Sequence, residues 1–237
     1  DTDFDTDMEE EADIMRNEIK ISLPFYKIAY AVFFVVVLSL VRGITHTYEI
    51  GIALETSMAI LAAVFCADTY AQEIISKRAE IQRLYPMKNR LRSIIRRTGI
   101  QELFLILLSA VGYGLFYLFQ KPTVLYTAAS GAGNEMIQFA VYLAVSVITI
   151  GFWGVFANTL SCIFRNMWFG IGGCLVVWII VNSKLGDGIF GAWNLFSYTF
   201  RPIENSSDVS WVCGKLLCVA MVIMMLAMLP KIVKKRG

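Results

Sequence analysis

Six apolar stretches, little charge within them and a one-sided distribution of basic residues predict an all-α, polytopic integral membrane protein with six transmembrane helices and both termini cytoplasmic. Of the 237 residues, 57% are hydrophobic and only 17% charged. The mean hydropathy is +0.61, a balance that a water-soluble domain does not carry. A span needs about 20 mostly apolar residues to cross a hydrocarbon core of about 30 Å. The candidates are Leu23–Val41, Ile50–Ala67, Leu103–Phe119, Met136–Phe164, Met167–Val181 and Val209–Leu229. The fourth is long and uncharged, so it must tilt, kink or project beyond the bilayer. The fifth is short and rich in glycine.

Orientation follows from the basic residues, because loops rich in Lys and Arg are retained on the cytoplasmic side. With both termini inside, the 21 Lys and Arg residues divide as sixteen cytoplasmic and five towards the outside. Eight of the sixteen crowd into residues 74–99, between the second and third spans. The reverse topology would leave sixteen outside and is rejected. The net charge of +2 conceals this asymmetry, since nine of the acidic residues lie in Asp1–Lys20.

Residues 1–22 read as an acidic cytoplasmic tail followed by an interfacial helix. Asp1–Asp13 has little from which to build a core and is expected to stay mobile until a partner orders it. From Ile14, apolar Met15, Ile19, Ile21 and Leu23 alternate with Arg16, Asn17, Glu18 and Lys20, the pattern of a short helix lying on the inner leaflet. Pro24 then sits where a new helix can start, its missing N–H costing nothing in a first turn. The chain opens at Asp1 without Met, which leaves room for an upstream piece. The first apolar run has no small-residue cleavage site and reads as a retained span rather than a signal peptide.

Residues 23–230 form the six-span domain. The short connection Arg42–Glu49 makes the first two spans antiparallel neighbours. Glu55 lies about one turn inside the second span from the outer side, where a carboxylate either marks a pathway or reaches back to the headgroups. Gln120–Asn134, with Pro122 and the run Ala128–Ala132, reads as a flexible loop. Residues 182–208 are too apolar for a fully solvated loop, with Ile189, Phe190, Trp193, Leu195 and Phe196, yet Gly186, Gly188, Asn194 and Pro202 break any full span. They are expected to form a re-entrant or interfacial pair of short helices. Residues 231–237 form a basic cytoplasmic tail.

Catalytic readings find few residues to work with. His46 is the single histidine, which excludes zinc sites built from several histidines. The five cysteines, Cys66, Cys162, Cys174, Cys213 and Cys218, lie in or beside spans without metal-ligand spacing and read as small packing residues. Asp68, Glu73 and Glu102 gather near the inner ends of the second and third spans. Paired carboxylates can perform acid–base work, but these are expected to balance the neighbouring arginines. Gly151, Gly154, Gly170, Gly172 and Gly173 read as positions of close helix approach.

The basic stretch 74–99 is amphipathic on a helical template, with Ile74, Ile81, Leu84, Leu91 and Ile95 recurring at intervals of three, four or seven. Pro86 disfavours helix at Tyr85 and removes a donor, so one helix is expected to end near Leu84 and another to start near Met87. A lipid anchor would need no such break. An acidic residue at Glu73, then Leu84-Tyr85-Pro86, then Met87-Lys88 and Arg90, set between the second and third of six spans, resembles the membrane subunits of type-2 ABC exporters. Those subunits also carry an interfacial helix before the first span and a re-entrant pair before the last. The glycine that commonly follows the acidic residue is absent here.

The resemblance implies a permease subunit working as a dimer with a second copy or a paralogue. Separately encoded ABC ATPase subunits would grip its coupling segment, with Glu73, Glu80, Arg83, Leu84, Tyr85 and Pro86 as the coupling residues and Glu55 as a possible pathway residue. ATP and magnesium would belong to the partner, since no Gly-x-x-x-x-Gly-Lys-Ser/Thr sequence occurs here. The chain itself is expected to be no enzyme and to hold no cofactor, and its basic residues are assigned to bilayer and protein partners rather than nucleic acid. The expected location is a cell membrane, bacterial on this reading, and the cargo an amphipathic peptide or lipid. The rival reading is a non-transporting membrane protein, such as an immunity or sensory protein. On a background without the native cysteines, Ser130→Cys and Ser206→Cys should react with an impermeant thiol reagent in intact cells, whereas Ser93→Cys should not; labelling of Ser93→Cys would overturn the topology.

Overall fold

The structure, a computed structural model, describes residues 15–69, 87–123, 133–197 and 211–236. Those residues are helical throughout, apart from short connections and one isolated bridge between His46 and Thr123. The helices are α1 (Met15–Ser22), α2 (Phe25–Val41), α3 (Thr47–Cys66), α4 (Met87–Gln120), α5 (Gly133–Phe164), α6 (Met167–Val181), α7 (Lys184–Phe190) and α8 (Trp211–Arg236), with a 3-10 turn at Gly191–Trp193. Four of them, α3, α4, α5 and α8, are each long and apolar enough to cross a membrane. The count rises to six if two bent pairs are each one span: α1 with α2, bent by 55°, and α6 with α7 and its 3-10 turn, bent by 76°.

Each break has a local cause. Pro24 occupies the N-cap of α2 in extended geometry, with φ −65° and ψ 148°, and its carbonyl accepts from Lys27 N–H at 2.9 Å, so a new helix begins at an angle to α1. The second bend comes at Asn182–Ser183, where the Ser183 hydroxyl caps α7 by accepting from Gly186 N–H at 3.1 Å. At the entry to α3, Glu49 accepts from the backbone N–H groups of Thr45 at 2.6 Å and His46 at 3.1 Å, satisfying donors that a helix start leaves open. The last helix continues through Pro230 to Arg236, past the end expected at Leu229.

α3 is the central helix. Buried residues make up 72% of its apolar window, against 33% for α4 and 28% for α8, so its neighbours wrap it and turn their own outer faces away. α3 packs on α5, α4 and α6; α5 packs in turn on α4, α6 and α8, and α2 lies against α4. The core fills with Met58, Leu61, Phe65, Leu105, Trp153 and Phe196, and Trp153 stacks on Phe196 with centroids 5.7 Å apart. Leu103, Leu107, Val111 and Leu118 on α4 and Leu216, Ile223, Met224 and Met228 on α8 remain exposed. Such helical stripes are unfavourable in water and suited to lipid.

Residues 194–197 turn back into the bundle and are buried, although only Ser197 is helical. Buried backbone of this kind needs internal partners, which it has. Asn194 Nδ2 donates to Val181 O at 3.0 Å, Phe196 N–H donates to Asn194 Oδ1 at 2.9 Å, and the Ser197 hydroxyl donates to Trp211 O at 2.8 Å. The turn fits only because Gly214 of α8 has no side chain: a Cβ there would lie 2.0 Å from the Asn194 carbonyl oxygen. Gly214→Val should therefore lower stability by about 1–3 kcal/mol or more through overpacking, read as a lower unfolding temperature in detergent. Gly172→Ala, whose Cβ meets nothing within 4 Å, should leave the temperature unchanged.

Candidate functional site: buried charges between the helices

The apolar interior encloses two ion pairs. Glu55 of α3 is wholly buried and pairs with Lys215 of α8, itself 2% exposed. The Thr149 hydroxyl of α5 donates to Glu55 Oε1 at 3.1 Å, and Lys215 Nζ lies 2.9 Å from Thr149 Oγ1. Lys215 also donates to the Leu195 carbonyl at 2.8 Å and sits 5.9 Å from the centroid of the Phe196 ring. One ammonium thus joins α3, α5, α8 and the buried turn. Its three protons have three acceptors, Glu55, Thr149 and Leu195 O, as an ammonium removed from water requires.

Glu55 points into the bundle and is wholly buried, rather than turning out of it towards headgroups. Its helical phase, not its depth, decides: α3 is the most buried helix, and Glu55 faces its interior neighbours. Lys215 was missed as a site residue, being one of the five basic residues assigned towards the outside. A signal for it existed. It is an isolated lysine four residues into a 26-residue apolar helix, and an intramembrane charge calls for an intramembrane partner.

The second pair lies towards the other end of the bundle. Lys27 of α2, 3% exposed, pairs with Asp68 just beyond α3. Lys27 donates to Phe65 O at 2.9 Å and lies 5.1 Å from the Phe65 ring centroid. Beside it, the Thr69 hydroxyl donates to Gln101 Oε1 at 2.6 Å, and Gln101 Nε2 donates to Ser22 O at 3.1 Å. Glu18 of α1 pairs with Arg97 of α4 and accepts from the Ser93 hydroxyl at 2.7 Å. α1, α2, α3 and α4 are tied together at this end.

Of the three carboxylates expected to balance arginines, Asp68 and Glu102 lie within the described residues. Asp68 pairs with a lysine, because α2 delivers Lys27 into the interior, and Glu102 has no ion pair among the described residues. Glu73, Glu80, Arg83, Leu84, Tyr85 and Pro86 lie outside the described residues. Among the described residues no three His, Cys, Asp or Glu side chains gather as a metal site would need. Cys66, Cys162, Cys174 and Cys218 are buried free thiols and Cys213 is half-buried.

No protein-family model, curated protein or solved structure matches this chain. The buried charges therefore stand on their own geometry. Removing one partner strands the other in a medium of low dielectric, which costs about 3–5 kcal/mol. Lys215→Met should therefore destabilise strongly. The double variant Glu55→Leu/Lys215→Met should recover a large part of that loss, leaving mainly the Leu195 carbonyl without its donor. Thermal unfolding of the wild type, Glu55→Leu, Lys215→Met and the double variant in one detergent checks this, and additive losses would show that the two residues are not coupled.

Proposed function

We propose that this chain is the permease subunit of a type-2 ABC exporter, with six spans and both termini cytoplasmic. Two such subunits would line a pathway for an amphipathic peptide or lipid, and separate ATPase subunits, holding ATP and magnesium, would drive it through residues 73–86.

The observation that carries this reading is the form of α4. It runs as one helix from Met87 to Gln120 over 34 residues, or about 51 Å at 1.5 Å per residue. A hydrocarbon core of about 30 Å leaves roughly 20 Å of it outside the bilayer. The projecting end begins directly after the segment that resembles a coupling helix, so displacement of that segment would pass through rigid helix into the bundle. The Glu18–Arg97 pair and the Ser93 hydrogen bond tie α1 to the same projecting turns, so α4 and the entry to α2 would move together. Counting α2 and α6 as spans beside the four long helices makes six, which agrees with the sixteen-to-five division of basic residues.

In this mechanism Glu55 and Lys215 hold the last helix and the buried turn against α3, and a change of α3 packing would load that pair first. Leu84 and Tyr85 supply an apolar anchor for the ATPase cleft, while Glu80 and Arg83 fix its register.

Replacing both Leu84 and Tyr85 with Asp should abolish co-purification of the ATPase and substrate-stimulated ATP hydrolysis in liposomes, because charge would be buried at the interface without a partner. Membrane insertion should persist. Wild-type levels of both readouts in that double variant would sink the coupling assignment and return weight to an immunity or sensory protein. Mass spectrometry of native partners supplies an independent check, since a complex without a Walker-type ATPase contradicts the proposal.

A further inference from the structure

Between α4, α5 and α8 a crevice of about 170 Å³ opens beside Glu102. Each helix contributes one face at intervals of three or four: Ile95, Thr98 and Glu102 from α4, Gly151, Val155 and Asn158 from α5, and Val222, Met225 and Leu229 from α8. The walls are largely apolar, with Thr98, Asn158 and Thr159 as the uncharged polar groups. Ile95 and Leu226 at its rim are 54% and 40% exposed. Leu226 belongs to the outer apolar surface of α8, so the crevice opens there towards lipid.

Glu102 is the anomaly of the interior. Its Oε1 is buried and has no hydrogen-bond partner among the described residues. The other two carboxylates inside the bundle, Glu55 and Asp68, each hold a lysine, whereas Lys27 and Arg97 are committed to Asp68 and Glu18. The carboxylate is also accommodated on purpose of shape: a Cβ at Gly154 would lie 3.1 Å from Glu102 Oε1 and 3.1 Å from Cys66 Sγ, closer than such contacts normally come. Glycine at that position lets the carboxylate lie against α5 at the inner end of the crevice.

We propose that this crevice binds a monocationic amphiphile, its ammonium group paired with Glu102 and its apolar body held between α4, α5 and α8. Charge complementarity selects a cation, and Asn158 and Thr159 offer further polar contacts for its head. The size selects a slender ligand: an apolar cavity of about 150 Å³ accommodates benzene, so the head and first part of the body fit inside and the remainder leaves past Leu226 into the bilayer. A neutral amphiphile of the same length would leave the carboxylate unpaired, a penalty that grows as water is excluded. The site is independent of transport and of any ATPase.

The test uses the full chain in phosphatidylcholine nanodiscs and two photoreactive probes, dodecylamine and dodecanol, each carrying a diazirine near the polar end. Peptide mass spectrometry compares labelling of Val222–Leu229 with labelling of Trp168–Val176, which reports the bilayer background. The amine probe should label the crevice above background, and Glu102→Gln should reduce that excess about tenfold or more, as loss of a charged hydrogen bond predicts. The alcohol probe should show no excess in either protein. Val155→Phe, which fills the crevice and keeps Glu102, should abolish the excess and serves as the deciding variant if Glu102→Gln fails to fold. Equal crevice labelling in wild type and Glu102→Gln, equal excess from the alcohol, or full excess in Val155→Phe would each overturn the proposal. The first two results are those of a permanently protonated Glu102 that recognises no cation.

Discussion

The ion pair between Glu55 and Lys215 is the constraint on which the arrangement of helices depends. α8 has little of its surface inside the bundle, and in lipid the exposed remainder gains nothing from leaving the solvent around it. Its position is set by specific interior contacts, of which Lys215 is the strongest. The same ammonium donates to the carboxylate of the central helix and to the Leu195 carbonyl, the latter at 2.8 Å. Without it the turn Asn194–Ser197 would present an unsatisfied carbonyl in a dry interior, so the pair and the broken backbone are one structural unit. Gly214, one residue before Lys215, permits the close approach that brings the two together.

A second set of polar ties closes the other end of the bundle on a different plan. Lys27–Asp68, Thr69–Gln101–Ser22 and Glu18–Arg97 link α1, α2, the end of α3 and α4, while Glu55–Lys215 links residues 160 positions apart. The first half is thus fastened to α4 at one end, and the second half is fastened to α3 nearer the middle. Displacement of α4 at its Met87 end would act on the first set and leave the second as the anchor. Glu102 lies between the two sets and belongs to neither, which is why its unpaired oxygen and the crevice beside it stand apart from the rest of the interior.

Much of the architecture was legible in the residues because a bilayer imposes a simple rule: long apolar stretches must be helical, since backbone polar groups have no water to bond. The positions of α3, α4, α5 and α8, the break at Pro24 and the interruption before Asn194 all follow from hydropathy, proline and glycine alone. The candidate site was legible only in half. Glu55 stood out as a charge inside a span, but its partner, inside the sixth span, was only counted among the basic residues towards the outside, and counting Lys and Arg by side carries no information on which of them turn inwards.

The sequence by itself determined the helical class, the location of the long apolar helices and the asymmetry of charge, all of which depend on composition within one stretch. Tertiary structure decided the pairings: that Glu55 meets Lys215, that Lys27 meets Asp68, and that Glu102 meets no cation among the described residues. The physical reason is that an ion pair between helices depends on the rotational phase of each about its axis and on their relative depth. Neither quantity is encoded in the hydropathy of one stretch, and both are set only when small residues such as Gly154 and Gly214 allow particular helix faces to touch.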